Sequence, residues 1–130
     1  GETGNGVMEY DNIFGVGFGY NNSRIRVIIQ DSNGKYLIGG GFTSYNGITS
    51  NNIIRLNQDG SVDNTFNIGS GFNGSVYSLI EDSNGKYLIG GTFETYQGVS
   101  ANRIIRLNQD GSRDNTFNIG SGFNTINTTV

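Results

Sequence analysis

Asp31-Ser32-Asn33-Gly34-Lys35-Tyr36-Leu37-Ile38-Gly39-Gly40 returns unchanged as Asp82 to Gly91, and the likeness runs on from Asp31–Phe72 into Asp82–Phe123 at a constant shift of 51 residues. Only nine of the 42 aligned positions differ (41, 43, 44, 46, 48, 49, 50, 52 and 62), so 42 − 9 = 33 are identical. A period of this length marks one supersecondary unit per repeat, which covers its apolar face only by stacking on a neighbour. Two units fall short of the roughly three that a stacked array normally needs. The expectation is therefore a piece of a longer array, or copies that cover one another's open ends.

Within the repeat, Arg24–Gln30 and Ser75–Glu81 are β-branched and partly alternating, as a strand requires. Asn33-Gly34 and Asn84-Gly85 then supply residues that tolerate positive φ in a hairpin turn. Lys35–Phe42 and Lys86–Phe93 read as the second strand. The paired glycines in it, Gly39-Gly40 and Gly90-Gly91, point to a bulge or to the close approach of another backbone. Ile53–Leu56 and Ile104–Leu107 make a third strand, Asp59-Gly60 and Asp110-Gly111 a further hairpin turn, and Thr65–Ile68 a fourth strand. The connection between second and third strands, 43–52 and 94–103, holds most of the differences between copies, which makes it the surface expected to vary and to bind.

Four short antiparallel strands per period of this length predict an all-β chain of propeller blades. Two full repeats, about 22–72 and 73–123, are flanked by part-copies. Asp11-Asn12-Ile13-Phe14 and Gly15-Val16-Gly17-Phe18 echo Asp63–Phe66 and Gly69–Phe72 with two residues deleted. Residues 1–10 read as a lead, whose Gly1-Glu2-Thr3-Gly4 matches the scar of a mammalian secretion vector, and 125–130 as a tail or the start of a next strand.

Composition narrows the function. With 22 Gly and no Pro, Trp or Cys, the chain suits tight turns and disfavours helix. A net charge of −3 provides no surface for a polyphosphate, so nucleic acid is not an expected partner. No apolar run approaches the roughly 18 to 20 residues of a membrane-spanning helix, and no membrane insertion is expected.

Three blocks at fixed spacing carry a family resemblance: Gly39-Gly40-Gly41-Phe42-Thr43 with Tyr45 and Gly47; Asn52 to Asn57, Asp59-Gly60-Ser61, Asp63 and Thr65-Phe66; then Gly69, Gly71 and Phe72. Over about positions 11–124 the chain resembles the delta-60 repeat of β-propellers, with Thr92 and Glu94 departing from Gly41 and Thr43. The resemblance implies a propeller of bacterial surface, secreted or phage proteins, without an assigned catalytic activity, and more than two units per chain.

Asp59, Ser61 and Asp63, repeated as Asp110, Ser112 and Asp114, set oxygen side chains at positions 1, 3 and 5, as a calcium loop does. The acid at position 12 is missing and Arg113 intrudes, so Asp side chains bonding turn amides are the expected reading and calcium the weaker one. No other cofactor is expected. There is no His or Cys for acid–base or nucleophilic work, and the acids Glu81 and Glu94 occur in one repeat only, leaving a glycan-active enzyme as the remote alternative. Tyr45, Asn46, Tyr96 and Gln97, in the varying connection, are the candidate ligand contacts, for glycan or protein. Tyr36 and Tyr87 are expected in packing, and Arg55 and Arg106 in pairs with Asp63 and Asp114. Asn21, Asn73 and Asn127 head N-x-Ser/Thr triplets. The function expected is thus a non-enzymatic binding or adhesion module, outside the cell or on a cell or virion surface, that associates with itself. A purely structural repeat unit is the alternative.

Overall fold

A computed structural model describes residues 24–124. The part-copy at 11–18, the lead, the tail, Asn21 and Asn127 lie outside them. The described residues form ten strands and no helix. They are β1 (Ile25–Gln30), β2 (Tyr36–Gly40), β3 (Ser44–Tyr45), β4 (Ile48–Thr49) and β5 (Ile53–Leu56) in the first repeat. The second repeats them as β6 (Val76–Glu81), β7 (Tyr87–Gly91), β8 (Thr95–Tyr96), β9 (Val99–Ser100) and β10 (Ile104–Leu107).

Each repeat is one antiparallel sheet, ordered β1-β2-β5 and β6-β7-β10. In the first, Ile28 pairs with Ile38 and Ile38 with Ile54 across three strands, and Ile29 pairs with Leu37 and Leu37 with Arg55. Successive side chains point to opposite faces, so these two rows lie on opposite sides of the sheet. The turns β1–β2 and β6–β7 are three-residue loops: Asp31 and Lys35 close the first, and Gly34, at φ 81°, is its left-handed residue. Here Asn33 does not take positive φ, so the turn is type I with a glycine bulge rather than the two-residue type.

Both readings of the paired glycines hold. β1 is bulged between Ile25 and Val27, opposite Gly39 and Gly40. A Cβ on Gly40 would overlap the Arg24 carbonyl, and one on Gly39 would overlap Val76 Cγ1 of the second repeat. The first glycine pair therefore admits both a bulge in its own sheet and the neighbouring sheet.

The expected fourth strand, Thr65–Ile68, does not form. The strand after the Asp59-Gly60 turn contributes one bridge, Leu56 to Val62, with Leu107 to Arg113 as its copy. Asp63 ends it: Oδ1 accepts from the Thr65 amide at 3.0 Å and hydroxyl at 2.6 Å, and the chain turns instead of extending. The turn sends Phe66 inward.

The two sheets share one core. Leu37, Ile53, Phe66 and Phe72 of the first repeat meet Val76, Leu79, Tyr87, Ile89, Phe93 and Leu107 of the second, all buried. Burying side chains of this size stabilises by about 1.5–3 kcal/mol each.

Candidate functional site

Two places combine polar chemistry with access: the seam between repeats and the paired hairpins of the varying connection.

At the seam, Arg55 lies mid-strand in β5, and alternation turns it toward the second repeat. Its Nε donates to Asp63 Oδ2 at 2.9 Å, Nη1 to the Tyr87 hydroxyl at 3.0 Å and the Gln109 carbonyl at 2.8 Å, and Nη2 to Thr65 Oγ1 at 3.2 Å. Its Cζ stands 4.7 Å from the centre of the Phe66 ring, a cation–π distance. The Tyr87 hydroxyl in turn donates to Asp31 Oδ2 at 2.6 Å, and Asp31 Oδ1 accepts the Asn33 and Lys35 amides at the β1–β2 turn. Burial works against the Asp63 carboxylate, but the Thr65 hydroxyl and amide and the Arg55 guanidinium outweigh it and hold it at about 2. Burial, then the bond to Asp31, pushes Tyr87 up to about 12. An open groove of about 380 Å³ lies alongside, bounded by Asn33, Lys35, Thr65 and Gln109. Every charge at the seam already has a partner, so its chemistry is that of a lock. The expected pairing of both arginines is realised, since Arg106 Nε donates to Asp114 Oδ2 at 3.0 Å.

The connection 43–52 is a hairpin where only a loop was expected. β3 and β4 pair across Asn46-Gly47, both at positive φ (52° and 79°), the two-residue turn that Asn-Gly favours. β8 and β9 repeat it across Gln97-Gly98. The Tyr45 hydroxyl donates to the Gly60 carbonyl at 2.6 Å, and that of Tyr96 to the Gly111 carbonyl. These tyrosines are struts that fix each hairpin to the next turn, and Tyr96 is fully buried. The accessible surface falls to Asn46 and Gln97 at the tips and to Ile48 and Val99 beside them, all exposed. The Gln97 amide bonds the Gly71 carbonyl at 2.8 Å, resting the second tip on the crossover between repeats.

The calcium candidates are spent elsewhere. Asp59 Oδ1 accepts from the Ser61 amide at 3.0 Å and hydroxyl at 2.6 Å, and Asp110 from Ser112 in the same way; the Ser hydroxyls lower both carboxyls. Asp63 and Asp114 face their arginines. Among the described residues no group of three or more acidic, His or Cys side chains is placed to hold a metal ion. Of the acids that glycan chemistry would draw on, Glu81 accepts from the Ser32 amide and hydroxyl at 2.7 Å each and Glu94 pairs with Arg103, while the neighbouring Asp82 caps its own turn. The Glu81 bond crosses the seam; its only trace in the sequence is an acid where the first repeat has Gln30. Asn73 Oδ1 accepts the Glu94 and Thr95 amides, which ties the crossover to the second hairpin.

No curated protein and no solved structure matches the chain. A family model described as a β-propeller domain of unknown function (DUF5122) matches residues 32–66 and 83–117, the two repeats from turn to inward phenylalanine. Those segments make up more than half of the sequence, and the protein belongs to that β-propeller family.

Proposed function

We propose that the chain is a non-enzymatic binding or adhesion module of a secreted, cell-surface or virion protein, which displays its hairpin tips from a ring completed by further copies or further periods. One observation carries this reading. β2 and β5 recur unchanged as β7 and β10, and Arg55, Asp63, Tyr87 and Gln109 of the seam have identical counterparts, whereas from Asp31 to Phe72 the differences gather in and around β3–β4 and β8–β9, at solvent-facing positions such as Asn46, Ile48, Gln97 and Val99; β1 and β6 differ as well. A scaffold held constant beneath a varied, rigid rim is how loops on a fixed frame recognise ligands. The exposed apolar residue beside a polar tip suits a glycan or protein surface.

The test is capture on glycan and protein arrays by the wild-type chain and by a variant carrying Asn46→Ala, Ile48→Ala, Gln97→Ala and Val99→Ala. Selective capture that the variant loses supports the proposal. Blank arrays favour a repeat unit used only for assembly, the reading that the strut role of Tyr45 and Tyr96 supports.

A further inference from the structure

The seam has two halves, and each half occurs a second time among the described residues without its counterpart there. One half is the face of the second repeat that carries Val76, Leu79 and Tyr87. Its copy on the first repeat carries Ile25, Ile28 and Tyr36. Val76 and Leu79 are 0% and 3% exposed, Ile25 and Ile28 54% and 56%. The other half carries Arg55 and Phe72, copied as Arg106 and Phe123. Phe72 is 3% exposed, stacked 4.3 Å from Phe93 and 4.7 Å from Tyr96, whereas Phe123 is 62% exposed. Arg106 keeps Asp114 and lies 3.9 Å from Asp82, but where Arg55 also holds a tyrosine hydroxyl and a glutamine carbonyl, Arg106 has neither.

We propose that the occupant of both faces is a second copy of this chain, docked by the same 51-residue step that relates the two repeats. The proposal deepens, and rests on, completion of the ring by copies. Arg106 Nη1 then donates to the hydroxyl of Tyr36 of the partner subunit and to the carbonyl of Gln58 of the partner subunit, and that hydroxyl donates to Asp82. Phe123 stacks where Phe72 does within one chain. Because the surfaces that meet are different, the contact is heterologous, and it must close into a ring or continue as a filament.

Two pairs differ from the internal seam. Inside the chain, Arg26 lies 4.8 Å from the Tyr77 ring. Across the new joint, Tyr77 takes the Arg26 place and Arg26 of the partner subunit takes the Tyr77 place, so the cation–π pair survives with its members exchanged. The Ser32–Glu81 bond, by contrast, becomes Ser83 against Gln30 of the partner subunit. A neutral amide replaces a carboxylate that took two donors, so the joint between copies is weaker than the one within.

Single-face variants test this by light scattering and sedimentation, with circular dichroism to confirm folding. Ile28→Asp and Phe123→Asp change residues exposed in one chain. Wild type is expected above the monomer mass of 14.0 kDa in multiples of it. Each variant alone is expected at the monomer mass, and the two mixed at twice it, since each keeps one competent and complementary face. Gln30→Glu supplies the missing carboxylate and is expected to tighten self-association about tenfold. A wild-type monomer at all concentrations overturns the proposal, as does an oligomer that either substitution leaves intact or variants that do not pair when mixed. Array capture is read independently, so loss of the joint and loss of the ligand reading are separate results.

Discussion

At the scale of single residues, the near-identity of the repeats makes each its partner's control. Asn52 and Arg103 occupy the same left-handed position, at φ 76° and 75°. Asn tolerates this conformation, and its carboxamide donates to the Gly40 carbonyl at 3.0 Å. Arg gains a 3.4 Å pair with exposed Glu94 and a long 3.5 Å bond to the Phe93 carbonyl, both worth little. Arg103→Asn is therefore expected to stabilise the chain by about 0.5–1 kcal/mol in urea denaturation. Removing the buried arginine has the opposite sign: Arg55→Ala leaves buried Asp63 with the partly exposed Lys35, at 3.5 Å, as its remaining cation and is expected to cost about 3 kcal/mol, and Arg106→Ala distinctly less, because Arg106 is partly in solvent. Asp63 also sets an acid limit. Its carboxyl drops from 3.8 to about 2 on folding, so the stability it lends is complete above the unfolded value and disappears as pH falls from about 4 to about 2. Asp63→Asn should start less stable at neutral pH and lose less over that interval, as thermal melts at stepped pH would show.

The elements explain why some of the structure was legible and some was not. Strand positions and the all-β class follow from β-branched runs between Asn-Gly and Asp-Gly turns, because local sterics alone specify them. Thr65–Ile68 has the composition of a fourth strand, but the outcome depends on Asp63 capturing the Thr65 amide first. The β3–β4 hairpin was hidden by shortness: two residues on either side of Asn46-Gly47 show no alternation to read. Tyr45 and Tyr96 stand out in the sequence as candidate ligand contacts, whereas their strut role is visible only through tertiary distance, since their acceptors lie 15 residues ahead. The glycine pair is the element where both levels met. Gly39→Ala would push a methyl into Val76 and is expected to cost about 1–3 kcal/mol, and adding Val76→Ala would not restore it, because Val76 Cβ itself lies 2.9 Å from that methyl, whereas Gly90→Ala meets the movable Ser78 hydroxyl at 3.1 Å and should leave the monomer's melting temperature nearly unchanged.

For the molecule as a whole, the two three-stranded sheets and one complete seam of the described residues leave an apolar face at each end of that region. Anything that associates only with the folded form raises its apparent stability by mass action. The melting temperature is accordingly expected to climb with protein concentration, and to stop climbing in Phe123→Asp. A concentration-independent melt of wild type would mean that these faces contribute nothing beyond the single chain.

The seam itself, with Arg55, Asp63, Tyr87 and Gln109 all drawn from positions that recur every 51 residues, has one more consequence. A gene that gained or lost one such period by unequal recombination would still encode compatible neighbours at every junction. Only the Arg26–Tyr77 pair, and the Glu81 carboxylate that accepts from Ser32, would depend on which repeat was copied.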